Sequence, residues 1–209
     1  MQISTRFEWV NLTPEPGNYT FGYYDRCPWD ATQHLHLALR IPHQDHLPEP
    51  GELASVGVVD RETRVFHELA ETRAWCHQQG AMTLWLKQAP GTFIYNDFVR
   101  EGGEWRPIAR IHSLAQGAIG QVDVPIYTIS NNGRWGVSLN FGRIPRRGYS
   151  YALAPLPRTQ PAPDLDDDGL FLVDMVTGTT RLIASYRQMI ERHPYPYDLS
   201  AQGPGLYMW

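Results

Sequence analysis

Two segments lying far apart in this sequence share one plan. Val58-Val59-Asp60-Arg61-Glu62-Thr63-Arg64-Val65 and Leu172-Val173-Asp174-Met175-Val176-Thr177-Gly178-Thr179-Thr180-Arg181-Leu182 are each an apolar strand ending in Asp, then a turn, then a second strand with an Arg near its start. Short β-branched runs bounded by turn-forming residues read as β-hairpins. A chain that repeats such a hairpin is built from recurring antiparallel units, and helical architectures do not fit it.

A second unit recurs upstream of the hairpins: a strand, a small polar turn, and a strand of alternating apolar positions. It fits Asp30-Ala31-Thr32-Gln33 leading into His34 to Leu39, Met82 to Asn96 around the turn Gln88-Ala89-Pro90-Gly91, and Ile126 to Phe141 around Asn131-Asn132-Gly133-Arg134. Matching Asn96 to Asn140 gives a step of 44 residues, inside the ~40–50 residue period of propeller blades. The fold expected is therefore all-β, with four-stranded blades of the β-propeller type. About three blades are expected, over 20–75, 76–120 and 121–185, and the ring is left incomplete. The middle blade's outer pair is expected at Phe98-Val99-Arg100 and Trp105 to Arg110. Two Pro-rich inserts, Pro42 to Leu53 and Arg143 to Asp168, interrupt the plan, and loops of that length carry function more often than short ones do. From Tyr186 the pattern weakens to a faint helix over Tyr186 to Arg192, and residues 186–209 read as a non-repeat tail.

Composition narrows the function. The formal charge of -4 argues against a partner such as nucleic acid, which requires a concentrated positive face. No uncharged stretch approaches the ~20 residues of a membrane span, and the first residues lack an apolar signal core, so the expectation is a soluble, cytoplasmic protein away from membranes. Cys27 and Cys76 are too few for a disulfide framework and are expected as reduced thiols.

Phe21-Gly22-Tyr23-Tyr24-Asp25, His77-Gln78-Gln79-Gly80 and Phe93-Ile94-Tyr95-Asn96-Asp97 resemble bacterial WD-like β-propellers, in particular those related to oligogalacturonate lyase and other polysaccharide lyases. The resemblance covers roughly residues 20–185. It implies a closed, many-bladed parent architecture and a lyase acting on uronate-containing saccharides by β-elimination. In that chemistry a base removes the proton beside the uronate carboxyl while cations or a metal neutralise the enolate. The family's metal-binding His and Gln cluster belongs to later blades, so no residue of this chain inherits it.

On this reading His77 and Tyr24 are the candidate catalytic groups. Gln78, Gln79, Arg26, Arg143, Arg146, Arg147 and Tyr149 are candidates for binding an acidic oligosaccharide, with Tyr151 beside them. A guanidinium matches a carboxylate in bidentate fashion, and aromatic faces suit sugar rings. Each candidate also has a plain reading: a polar loop for His77 to Gly80, an internal pair for Asp25 and Arg26, a solvated loop for the arginines. Asp164, Asp166 and Asp168, followed by Gly169, have the start of a calcium loop, but its twelfth position is Met175 where a bidentate acid belongs. A divalent cation, Ca or Mn, is the cofactor expectation this carries. His43-Gln44-Asp45-His46 offers two-His spacing for zinc or manganese without further ligands in sequence. Two alternatives stand beside a lyase: a non-catalytic interaction module, and a fragment of a longer propeller that self-associates through open blade edges.

Overall fold

A computed structural model describes residues 9–144, 151–154 and 165–192, with Arg143 described for its backbone alone. Its described strands form three four-stranded antiparallel sheets that do not close into a ring. Sheet I is β1 (Asn18–Thr20), β2 (Leu35–Ile41), β3 (Ala54–Asp60) and β4 (Phe66–Thr72), in that order. Sheet II is β5 (Leu84–Trp85), β6 (Thr92–Glu101), β7 (Glu104–Ser113) and β8 (Gly117–Val122). Sheet III is β9 (Thr128–Ile129), β10 (Trp135–Leu139), β11 (Gly169–Asp174) and β12 (Thr180–Ser185), followed by helix α1 (Tyr186–Arg192). Sheets of this make are consistent with propeller-like blades.

Strand periodicity explains how the sheets stack. Successive side chains on a strand point to opposite faces, so Leu37 and Leu39 of β2 meet Val56 and Val58 of β3 on one face of sheet I. That face packs against Trp75, Ala81, Phe93 and Tyr95. On β6 Ile94, which lies between Phe93 and Tyr95, turns the other way and joins Ala109, Val122, Ile126 and Val173 in a second core facing sheet III. Sheet II is thus buried on both faces, and Phe93 and Ile94 are both essentially inaccessible. Burying side chains of this size contributes about 1.5–3 kcal/mol each. A third cluster, Ala74, Met82, Phe98, Phe141 and Tyr151, fills the space among the connecting loops.

The two echoing hairpins are β3–β4 and β11–β12, and their turns are built identically. Asp60 Oδ1 accepts from the N–H groups of Glu62 (2.9 Å) and Thr63 (2.8 Å), and Asp174 Oδ1 from Val176 (2.9 Å) and Thr177 (3.2 Å). These bonds, led by the Thr63 N–H, hold the Asp60 carboxyl below its usual range. Four residues after each Asp the backbone enters the left-handed region, at Arg64 (φ 56°) and Gly178 (φ 73°). A third copy lies at Ser113-Leu114-Ala115-Gln116-Gly117, where Ser113 Oγ accepts from Ala115 N (3.3 Å) and Gly117 has φ 77°. In all three the second turn residue donates its N–H to the foot of the neighbouring hairpin: Arg61 to His34 O (2.9 Å), Leu114 to Gly91 O (2.8 Å) and Met175 to Arg134 O (3.0 Å).

This corrects the expected layout of the middle unit. The pair around Gly102 and Gly103 is not the outer hairpin of sheet II but its central one, β6–β7, with ten residues in each strand. The outer strand is β8, Gly117-Ala118-Ile119-Gly120-Gln121-Val122. Its sparse apolar content and the Ser in place of Asp hide the repeat.

The turns give a test with two signs. Non-glycine residues pay ~1–2 kcal/mol in the left-handed region, partly offset by the extra unfolded-state entropy of glycine. Gly178→Ala should therefore lower stability by about 1 kcal/mol and Arg64→Gly should leave it unchanged or raise it by about 0.5 kcal/mol in urea unfolding. Equal losses in both variants would show that the turns are not equivalent.

Candidate functional site

Sheet I's inner strand is interrupted. β1 pairs with Leu39 to Ile41, the chain then leaves at Phe21 and returns at Trp29, which bridges His36. The excursion, Phe21 to Cys27, crosses to the loop that connects β4 to β5. That loop is pinched shut where Cys76 and Gly80 exchange backbone hydrogen bonds (3.1 and 2.9 Å), leaving His77, Gln78 and Gln79 at its tip. A Cβ on Gly80 (φ 56°) would lie 3.3 Å from Gly22 Cα, so the two loops touch backbone to backbone. They are also stitched at their flanks, by Thr20 Oγ1 to His77 O (3.1 Å) and Thr83 Oγ1 to Phe21 O (2.9 Å). The two segments named for catalysis from the sequence are neighbours.

Their side chains face different ways. Tyr24 is 84% exposed and its ring lies 4.2 Å from that of Tyr23. Gln78 is exposed, and Gln79 is buried with Oε1 unpartnered. Arg26 is buried: Nη1 donates to Thr128 Oγ1 (3.0 Å), Nη2 donates to Tyr127 O, and the guanidinium stands over the Tyr127 ring at 4.9 Å. Its Nε comes within 3.2 Å of Asp25 Oδ1 without hydrogen-bond alignment. Arg26 therefore joins the excursion to β9 of sheet III. Burial pushes the Cys76 thiol up to about 11, which keeps it protonated and unreactive at neutral pH.

His77 turns toward the insert between β2 and β3. Its Nε2 lies 3.0 Å from the carbonyl of His43, which requires Nε2 to carry the proton and leaves Nδ1 as the basic nitrogen. The ring stands 5.3 Å from that of Trp75 and 5.6 Å from that of His43. His43 in turn stacks on His46 at 3.6 Å, pairs through Nε2 with Glu52 Oε2 (2.9 Å), and keeps Nδ1 buried without a partner. His46 Nδ1 meets Asp45 Oδ1 at 2.8 Å. Burial raises the Glu52 carboxyl, but hydrogen bonds from His43 and the Glu49 N–H outweigh it and leave it below its ordinary value. Sequence spacing pointed to His43 and His46; Glu52 and Trp75 join the cluster through tertiary folding alone, and neither belongs to a motif.

The remaining candidates lie elsewhere. Arg143 ends the 3₁₀ turn Phe141–Arg143, and Arg146, Arg147, Tyr149 and Asp164 lie outside the described residues. Tyr151 is fully buried, stacked on Phe141 (4.8 Å) and hydrogen-bonded from Asn96 Nδ2 (3.0 Å); burial holds its phenol far above the usual range. Asp166 is engaged in a two-pronged pair with Arg187 (2.6 and 2.9 Å), and Asp168 accepts from Asn140 Nδ2 (3.1 Å) and Gly169 N (2.8 Å). A groove of about 350 Å³ opens beside Asp168 between sheets II and III, lined also by Pro107, Pro125, Leu139, Asn140 and Phe171 among others.

Among the described residues no helix is long and apolar enough to cross a membrane. No family model, curated protein or solved structure matches the chain.

Proposed function

We propose that this chain is an arc of a WD-like propeller, of the group that includes oligogalacturonate lyase, and that it binds an acidic oligosaccharide where the excursion Phe21 to Cys27 meets the loop Cys76 to Gly80. The observation that supports the reading is the backbone contact between Gly22 and Gly80, which makes neighbours of the loop that carries Tyr24 and the loop that carries His77 and Gln78. Exposed amide and phenol groups there suit sugar hydroxyls. If the saccharide is cleaved, His77 Nδ1 is the base for the proton beside the uronate carboxyl, and Tyr24 stands ready to protonate the leaving oxygen. The arginines at 143, 146 and 147 are the cations proposed for the uronate carboxylates.

The test is incubation with polygalacturonate, following the absorbance of the unsaturated product, alongside calorimetric titration with the same oligosaccharides. The expected result is saturable binding, and, with turnover, a loss of about 10²–10⁴ in rate for His77→Gln. Absence of both heat and product for uronate oligosaccharides would remove the reading.

A second reading, an interaction module, has its own observation. Gly136 of β10 packs toward Ile126 and Met175, so by alternation Val137 and Leu139 point to the opposite face, beside Leu172 and Leu170 of β11. Trp135 (39% exposed) and Ile183 (43%) lie on the same sheet. Partly exposed apolar sheet faces favour association, and sedimentation across a concentration series separates a stable oligomer from a monomer.

A further inference from the structure

We propose that the insert between β2 and β3 is a binding site for a borderline first-row divalent cation of the Zn²⁺ kind, with His43, His46 and Asp45 as its ligands. The inference is independent of the saccharide reading. One donor atom from each of these three side chains lies within 4.8 Å of the others. Two imidazoles and one carboxylate suit Zn²⁺ or Co²⁺, whereas Ca²⁺ and Mg²⁺ take sets of oxygen donors.

The hydrogen bonds around the cluster decide which atoms are available. Glu52 is ionised at neutral pH and can only accept, so the 2.9 Å contact places the proton of His43 on Nε2 and the lone pair on Nδ1. That Nδ1 is one of three buried imidazole nitrogens among the described residues with no hydrogen-bond partner, the others being those of His36 and His112. A carboxylate behind one imidazole nitrogen with the other left open is the arrangement that orients histidine ligands in metal sites. At His46 it is Nδ1 that faces Asp45 Oδ1, at 2.8 Å, so a cation there displaces the shared proton and is held by Nδ1 and the Asp45 carboxylate, the exposed His46 ring turning out of its 3.6 Å stack on His43.

The supports are also in place. His77 donates to the carbonyl of His43 from another loop, and Trp75 Nε1 donates to Glu52 O (3.0 Å), so both ends of the insert are tied to the β4–β5 connection. His43 is largely shielded, its side chain 13% exposed, while those of His46 (53%) and Asp45 (85%) are open. The site thus has one ordered, shielded ligand and an outer side through which an ion and its waters enter.

A purely structural role for the insert explains the two ion pairs. His36 and His112 also bury an unpartnered Nδ1; what sets His43 apart is that donor atoms of His46 and Asp45 lie within 4.8 Å of its own.

The test is titration of chelator-treated protein with ZnCl₂ by calorimetry, and with CoCl₂ by visible absorption. One equivalent of Zn²⁺ is expected to bind, and Co²⁺ should give the intense d–d bands of a site with fewer than six ligands. His46→Gln, at an exposed ring, should fold as wild type by circular dichroism and lose affinity by at least about 10-fold, with Glu52→Gln about 10–100-fold weaker. His34→Gln, whose ring pairs with Asp60 (2.9 Å) at the β3–β4 turn, serves as the control and should bind as wild type. No stoichiometric Zn²⁺ binding by wild type, or equal affinity in His46→Gln and wild type, would overturn the proposal. Because the readout is the metal alone, failure here leaves saccharide binding untouched, and the reverse also holds.

Discussion

Asn96→Ala should lower stability by about 3–5 kcal/mol, because one amide side chain holds the junction between sheets II and III. Asn96 is 1% exposed in β6. Its Oδ1 accepts from the Ile126 N–H (2.8 Å), while Nδ2 donates to the Ile126 carbonyl (3.1 Å) and to the Tyr151 hydroxyl (3.0 Å). Both backbone groups of Ile126 belong to the connection that turns from β8 into β9, and Ile126 is itself buried. Removing the amide strands a donor and an acceptor away from water, and each orphan costs about 1–3 kcal/mol. For a chain of this size, about 2–4 °C of melting temperature follows each kcal/mol, so a drop of about 10 °C is expected. Asn96→Asp provides a pH-sensitive companion. A buried carboxyl has a raised folded pKa, and only its protonated form can donate to the Ile126 carbonyl, so the variant should gain stability relative to wild type as the pH falls and lose it as the pH rises. A loss below about 1 kcal/mol in Asn96→Ala would mean that the junction is held by apolar packing and that the amide is incidental.

Arg26→Ala is the second large effect, with an expected loss of about 2–4 kcal/mol. The guanidinium is a polar link from the excursion of sheet I to β9 of sheet III, through Thr128 Oγ1 and the Tyr127 carbonyl, and its central carbon lies 4.9 Å from the centroid of the Tyr127 ring. Truncation removes the donors and opens a void beneath Tyr127. Arg26→Met keeps most of the stem volume and should recover part of the loss, which separates packing from hydrogen bonding. Thermal unfolding of the three proteins reads this directly. The same variants report on ligand contact: unchanged melting with loss of saccharide binding would place Arg26 at the ligand and not in the frame.

The hairpins were legible because their information is local. In Asp60 to Arg64 and Asp174 to Gly178, five consecutive residues carry the accepting carboxylate, the N–H groups it binds and the left-handed position that reverses the chain. Ser113 to Gly117 has the same frame with a weaker acceptor, and its repeat becomes visible only from the backbone bond of Leu114 to Gly91. β6 misled for a different reason. A strand covered on both faces loses the apolar–polar alternation that marks a half-exposed one, so Thr92 to Phe98 carried no signal of which sheet lay on which side.

The candidate site was legible in parts and not as a whole. His77 and Tyr24 stood out by residue type, and the abutting glycines at 22 and 80 give their loops a common place. The partners of His77 did not stand out. His43 is 34 residues away and Glu52 reaches the cluster from the far end of the insert, and pairings across such distances are fixed by how the connections pack. Asp164, Asp166 and Asp168 illustrate the converse: a spacing suited to an ion, in which Asp166 is instead engaged by Arg187 and Asp168 by Asn140.

The repeated hairpin with which the chain was first read therefore rests on sequence alone: turn chemistry within five residues and a period of 44 are enough to specify antiparallel four-stranded units. The tertiary structure decided what no local rule contains. It made the Gly102–Gly103 hairpin the centre of sheet II, carried Arg26 across to sheet III, and gathered His43, His46, Glu52 and His77 beside Trp75. Those outcomes depend on which apolar faces bury one another and on which buried polar groups find partners, and both are properties of the packed chain.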